Sequence, residues 1–590
     1  YELYYTVPDE LRRPWQVQTT MEMPRRGSND SVRHRGSKDD DSIPGLQWAV
    51  DMASDAAVFE EVDDAFFVDV GKTKDHAFVV INVHSKTTSE ILLLPAITNT
   101  ADTPSTTTPS ALEEGVLKTA SSVAGKAHVS KDEGSKVDHG VLSSSRGSSS
   151  SDCSPVLLRK RKQGVEFYVD HAVHTFYLIT NSPPERERGI CCNENVDTIG
   201  GAEEYRLVRL RQPRGKDGPC LRGIADEPWE SRQAGGHEGG TIEEMDLFRE
   251  HCVLYETSTS GSPRLRVVPL GSPESAFVVT PPPPGGCGGA NFSCGDCDSK
   301  GNSNFGGEVK DTAMADGASV LRPGVNAWLD SKTARFSVSS PTAPEDVYDL
   351  CLQSGRLDLL RRTNVPGSPR FDSSNYRCYR VQVSSHDGVR IPLTIAHDRS
   401  IVLDGTNRLV LHGYGAYGMH MPIDYHPGHA CMLERGWVLA FAHVRGGGER
   451  GKRWHADGRG QNKWNSFRDF EACARYLVTS GFTTSARMGL HVSSAGGLLA
   501  GVMANTQSDL FAAMVLKAPF LGVMSAMSDA SLPLTVHEYD EWGNPNDSED
   551  AEAMIRSWCP YENVRTQAYP AMMVSASLND TRCVRCRRPY

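Results

Sequence analysis

Four stretches of this chain repeat one rhythm of short apolar strands separated by turns, and that repetition constrains the fold more than any other feature. They are "AFFVDV", "AFVVINV" and "SEILLLP" near residues 65 to 95, "VEFYVD", "TFYLIT" and "EEYRLVRL" near 165 to 210, "MDLF", "CVLYETS" and "RLRVVPL" near 245 to 270, and "AWLD", "RFSVSS" and "DVYDLCL" near 327 to 352. A three- or four-stranded unit of this size cannot bury its apolar face alone, so it must be repeated around a ring, as in a β-propeller. A β-sandwich is the other arrangement that strand rhythm allows. Between the units lie "TSTTTPSAL" and "SSSRGSSSS", a charged Gly-rich run, and "TPPPPGGCGGANFSCGDCDSKGNSNFGG". These tracts are poor in aromatic residues and offer little apolar area against chain entropy, which predicts disordered insertions over 97–154, 213–240 and 271–316.

From about residue 371 the pattern changes to apolar strands alternating with helical segments. "RLVLHGYGAYG" and "WVLAFAHVRGGGERG" are buried strands running into glycine loops, and "SFRDFEACARYLVTSG" is a helix. In that helix Phe467, Phe470, Ala474 and Leu477 share a face, Ser466 with Asp469 makes a capping box, and Gly481 takes the C-terminal cap. "RMGLHV", "AAMVLKAPF" and "PAMMVSASLND" supply further strands. Such alternation predicts a mainly parallel sheet with its chemistry in the loops that follow the strands. The chain thus divides into residues 1–370, a β-propeller of several blades, and 371–590, an α/β domain.

The chain has 62 basic and 74 acidic residues and a net charge of -12, a balance that argues against nucleic-acid binding. No apolar run approaches the ~18 residues of a membrane span. The 15 cysteines form an odd number, scattered singly apart from adjacent Cys191 and Cys192 and the CxxC pairs at Cys294 and Cys297 and at Cys583 and Cys586. Without a secretory signal this fits reduced thiols in the cytoplasm better than a disulfide framework. Neither pair has a partner pair at zinc-site spacing, so no metal or other cofactor is expected. "RGGGERG" lacks the Lys-Ser/Thr of a phosphate loop and is expected to be a tight loop after a strand.

The loops of the second part supply what acyl transfer needs. "HVSSAGGLLAG" places Ser494 at a strand-to-helix turn, followed by Ala495, whose amide would face an oxyanion, and by Gly496 and Gly497, which allow close helix–strand packing. Asp580, after "MMVSASLN", stands where an orienting carboxylate would follow the nucleophile in chain order. An ordinary helix cap at Ser494 and a turn aspartate at 580 are the alternatives that the residues alone leave open.

The run of motifs "HGYGAYG", "RGGGERG", "SSAGGLLAG", "PLTVHEYDEWGNPND", "CPYENV", "RTQAYPAMMV" and "LNDTR", preceded by "LYYTVPDELRRPWQV" and "GKTKDHAFVVINVHSKTTSEILLL", resembles oligopeptidase B in the prolyl oligopeptidase family of serine peptidases. The resemblance implies a multidomain fold, a β-propeller followed by an α/β-hydrolase domain, that admits short peptides to a Ser-Asp-His site. By that resemblance Ser494 is the nucleophile and Asp580 the triad acid. Tyr414 joins the Ala495 amide in the oxyanion hole. Glu538 and Asp540 receive a basic substrate side chain, which points to peptides cleaved after Lys or Arg. Paired carboxylates favour a desolvated guanidinium or ammonium through charge-assisted hydrogen bonds.

Two departures from the family pattern bear on activity. Val492 stands where the family has glycine, and a β-branched residue there is expected to crowd the approach of helix to strand. No histidine follows Asp580 within the 590 residues. The missing histidine, with the initial Tyr1, suggests a truncated or mis-assembled reading frame, cut at both ends, and a hydrolase domain incomplete at its C-terminus. A catalytically inactive relative that binds peptides or proteins is the competing expectation. An esterase with the same turn is a third, which the acidic pair and the propeller disfavour. His537 and His491 are the candidate substitute bases, although neither follows the acid in chain order.

Overall fold

The computed structural model describes residues 2–8, 14–24, 48–50, 56–96, 154–182, 204–215, 218–219, 221, 224, 230–231, 240–259, 261–285, 315–316, 318–363 and 371–577. Among the described residues, five four-stranded antiparallel sheets occupy the first part. The N-terminal one joins Glu2–Pro8, Pro14–Pro24, Trp48–Val50 and Ala56–Glu60. The next four end respectively on Val156–Arg159, Glu230–Ser231, Phe277–Val279 and Leu357–Arg362. Each is a blade of period-two strands whose inward residues pack on the neighbouring blade. Ile91, Leu93 and Leu158 of one blade thus share a cluster with Phe176, Leu178 and Val208 of the next. The sheets are the blades of a β-propeller.

Parts of the expected insertions are packed. Within 213–240, Leu221 and Ile224 are buried in that inter-blade cluster, Arg214–Gly215 pairs with Gly218–Pro219, and Glu230–Ser231 closes a blade. Within 271–316, Phe277–Val279 is the outer strand of a blade, and the Gly285 N–H donates to Asp346 Oδ2 at 3.0 Å. Ala315–Asp316 pairs with Tyr376–Ser384 as the edge of the long sheet of the second part, although it lies within the first 370 residues. The expectation of disorder fails at these places because two or three apolar or strand-competent residues suffice to extend an existing sheet edge. Composition averaged over a long tract hides them. Residues 97–153 and 286–314 lie outside the described residues.

The second part holds an eight-stranded sheet ordered Ala315–Asp316, Tyr376–Ser384, Arg390–Asp398, Val438–Ala442, Leu409–Gly413, Met488–Ser493, Ala513–Lys517, Ala571–Ser575. The last five run parallel, joined by helical crossovers. Strands such as Val438–Ala442 are buried along their whole length because helices cover both faces. The result is the mainly parallel sheet expected from the alternation, in the α/β-hydrolase core that the resemblance implies.

Helix Lys463–Thr479 buries Phe467, Phe470, Ala474 and Leu477, as their spacing predicts. It ends with Gly481 at φ 75°. There the Gly481 N–H bonds Val478 O at 3.1 Å and the Phe482 N–H bonds Leu477 O at 3.0 Å, a Schellman cap. The expected capping box does not form. The helix begins a turn earlier at Lys463, and Ser466 Oγ donates to Arg445 O at 2.6 Å, while Asp469 receives the Arg445 guanidinium from Nε at 2.8 Å and Nη2 at 2.6 Å. These buried groups instead staple the helix to the "RGGGERG" loop, which is a tight loop after a strand, with Gly446 at φ 93°. Among the described residues no helix is long and apolar enough to cross a membrane.

Candidate active site

Strand Met488–Ser493 ends at Ser494, whose φ of 51° lies in the left-handed region that serine rarely occupies. A 3-10 turn, Ser494–Gly496, leads into helix Gly497–Thr506. The sharp turn lifts Ser494 off the sheet and leaves it exposed, and its hydroxyl has no hydrogen-bond partner among the described residues. Holding a non-glycine residue at positive φ costs about 1–3 kcal/mol, and such strain clusters at functional turns rather than at ordinary helix caps. The close approach rests on Gly496 and Gly497. A Cβ at 496 would lie 2.8 Å from Gly413 O, and one at 497 would lie 2.5 Å from Pro519 Cβ.

Val492 lies in the strand that leads into this turn. Its side chain is 3% exposed within the main hydrophobic core, and its backbone pairs in regular parallel register with Leu516.

Ser494 and Ala495 line a cavity of about 230 Å³ together with Tyr414, Tyr417, Phe520, His537 and Glu538. Tyr414 reaches it from the loop after strand Leu409–Gly413, and Gly415 at φ 66° turns that loop. Ala495 is buried at the base of the turn. The expected nucleophile and both oxyanion-hole residues are thus brought to one cavity. Asp580 lies outside the described residues, downstream of strand Ala571–Ser575.

Of the two carboxylates expected to receive a basic side chain, the structure brings only Glu538 to the cavity. Its Oε2 accepts from the Tyr417 hydroxyl at 2.6 Å and from Trp542 Nε1 at 3.0 Å. Burial and the adjacent carboxylate push the Tyr417 phenol well above its ordinary range, so it stays a donor. Asp540 is absent from the cavity lining; its Oδ2 accepts from Ser85 Oγ and Thr87 Oγ1, each at 3.0 Å, on a propeller turn. The reason is helical geometry. In helix Thr535–Trp542 positions two apart face different sides, whereas Glu538 and Glu541, three apart, share one.

Glu541 is a residue that the motif reading missed. Fully buried, it accepts from His455 Nε2 at 2.7 Å and from the Tyr417 amide at 3.0 Å. Lys463, 1% exposed, donates to Gly415 O at 2.6 Å beneath the same loop. Desolvation pulls Lys463 down to about 8. The signal available was the three-residue spacing in "HEYDEW", which marks a second acidic position on the Glu538 face.

His537 lines the cavity, but its Nδ1 donates to Ala65 O at 2.9 Å and its ring stacks on Phe67 at 3.9 Å between centroids. Burial first, and then the Lys86 charge, bring it down to about 4, which makes it a weak base. His491 lies elsewhere, with its Nδ1 3.3 Å from that of His412 and no place in the cavity lining. The cysteine pairs at 294–297 and 583–586 fall outside the described residues.

The prolyl oligopeptidase family model, Peptidase_S9, matches residues 426–586. Prolyl endopeptidase-like from Homo sapiens is 29% identical over 524 residues, which are 89% of this chain and 55% of that protein. Protease 2 from Moraxella lacunata is 37% identical over 253 residues, 43% of this chain and 36% of that one. Oligopeptidase B from Trypanosoma brucei with covalently bound antipain superposes with a TM-score of 0.67 at 25% identity, covering 99% of this chain and 63% of that chain. The Leishmania major oligopeptidase B structure does so with a TM-score of 0.69 at 22% identity, a likeness of fold. This chain spans little more than half the length of the human relative, and the match to the prolyl oligopeptidase family model lies in its residues 426–586.

Proposed function

We propose that this protein is built as a serine oligopeptidase for short peptides with basic residues, cut after Lys or Arg, with Ser494 as acyl acceptor. The observation that carries the reading is Ser494 held at φ 51° on the rim of one cavity with Tyr414, Ala495 and Glu538. In that mechanism the Ser494 hydroxyl attacks the scissile carbonyl, the Ala495 amide and Tyr414 hydroxyl receive the oxyanion, and Glu538 binds the cationic side chain. Asp580 would orient a histidine base. Serine is a weak nucleophile until a neighbouring base takes its proton, and no histidine follows Asp580 in these 590 residues. The 590-residue polypeptide itself is therefore proposed to turn over peptides negligibly while still binding them, which also supports a peptide-binding role. A cytoplasmic location belongs to the same reading and is supported by the unpaired cysteines Cys252, Cys351, Cys378, Cys431, Cys473 and Cys559.

The test combines a fluorophosphonate reagent with equilibrium binding of acetylated dipeptide amides ending in Arg or norleucine. The expected results are slow adduct formation at Ser494, absent in Ser494→Ala, and an Arg preference that Glu538→Gln lowers by at least tenfold. Substantial turnover of the Arg peptide, abolished by Ser494→Ala, would overturn the missing-base part. An unchanged Arg preference in Glu538→Gln would overturn the assignment of Glu538.

A further inference from the structure

The carboxylate proposed to receive a substrate cation already has one. Lys86, in the turn between propeller strands Phe78–His84 and Ser89–Pro95, places its Nζ 3.5 Å from Glu538 Oε1 and 4.7 Å above the Tyr417 ring. A carboxylate beneath and an aromatic face beside it are the surroundings that a substrate lysine or arginine would seek there. The turn is held to the hydrolase domain on both sides of Lys86. Ser85 and Thr87 donate to one oxygen of Asp540 at 3.0 Å each, from the opposite face of the helix that carries Glu538. Lys86 also borders both the cavity of Ser494 and a neighbouring cavity of about 640 Å³ lined by propeller and hydrolase residues such as Tyr168, Tyr205 and His455. It stands where the two spaces share their walls.

We infer that Lys86 is a specificity-determining residue, a resident cation on Glu538 with which the basic side chain of an incoming peptide must compete. This rests on reading Glu538 as the cation acceptor. The Lys86 side chain is 27% exposed and that of Glu538 14%, so the pair is only partly desolvated. An exchangeable contact of this kind is weak enough for a substrate to displace and strong enough to tax its binding. Since the turn is anchored through Asp540 and not through Lys86, the ammonium can swing away without releasing the propeller.

The experiment measures binding of acetylated Arg, Lys and norleucine dipeptide amides to the 590-residue chain, to Lys86→Met, Lys86→Gln, Glu538→Gln and to Lys86→Met with Glu538→Gln. Both Lys86 variants are expected to bind the Arg and Lys peptides about five- to tenfold more tightly than the parent, with norleucine binding changed less than twofold. The gain should vanish in the double variant, and Lys86→Arg should not show it. If Glu538→Gln lowers the basic preference but neither Lys86 variant raises it, the competition is refuted while the reading of Glu538 stands. If Glu538→Gln leaves the preference unchanged, or no variant prefers basic peptides, both are refuted. A Lys86 change that shifts all three peptides equally would show only a structural role and would overturn the inference.

Discussion

Glu541 and His455 meet at 2.7 Å in the interior of the hydrolase domain, and the second carboxylate oxygen holds the Tyr417 amide at 3.0 Å. Burial pushes the Glu541 carboxyl up, but His455, Lys463 and the Tyr417 amide outweigh it and leave it below its ordinary range. A single buried charge thus fixes the loop that presents Tyr414 and Tyr417 to Ser494. Glu541→Leu is expected to cost about 3–5 kcal/mol, since His455, Lys463 and the amide lose a common partner in a dry site. Denaturant unfolding checks this, and Glu541→Gln, which keeps the shape and one acceptor, should cost less.

Two substitutions test the packing around the Ser494 turn. Gly497→Ala adds a methyl 2.5 Å from Pro519 Cβ and 3.1 Å from Phe520 N, contacts that backbone must yield to relieve. A loss of about 1–3 kcal/mol is expected, with slower fluorophosphonate labelling. Val492→Gly restores the family residue, yet it removes a buried side chain from a regular strand and should destabilise by about 2–4 kcal/mol with no gain in labelling. Thermal melts with labelling time courses decide both.

Stability should fall with acidification between about pH 6.5 and pH 4. His429 and His537 are brought down to about 4, chiefly by burial. His412 is pushed well below its ordinary value by burial, by His429 and His491, and by Lys517. A histidine kept neutral in the fold but protonated when unfolded gives stability that is complete above its unfolded value near 6.5 and is lost as pH falls towards the folded value. Each such group adds up to about one proton of linkage in that window. His412→Phe, whose ring already stacks at 4.8 Å on Phe441, should flatten the pH dependence of the melting temperature. An unchanged profile would count against it.

Asp540 should matter to the contact between propeller and hydrolase domains rather than to cation binding. Asp540→Ala leaves the Ser85 and Thr87 hydroxyls without their common acceptor and should cost about 1–3 kcal/mol. Its effect should be less than additive with Ser85→Ala and Thr87→Ala, with a coupling of about 0.5–3 kcal/mol in a double-mutant cycle. Full additivity would show that the hydrogen bonds carry no shared energy.

The short-strand units and the alternating α/β core were legible in the chain because periods of two and of about 3.6 residues are local properties. So was the buried face of Lys463–Thr479, and so was the Ser494 turn, where strand, serine and paired glycines are contiguous. The tertiary structure alone decided which polar groups meet across long separations. Ser466 and Asp469 have capping-box spacing, but Arg445 offered Asp469 a buried bidentate partner, worth more than a local cap, and the helix started a turn earlier. Glu538 and Asp540 look like a pair in "HEYDEW", yet a helix turns about 100° per residue, so the first faces the cavity and the second a propeller turn 453 and 455 residues away in sequence. Lys86 on Glu538 and His455 on Glu541 depend on the same closure, in which the chain's folded path, and no local pattern, chooses the partner of each buried charge.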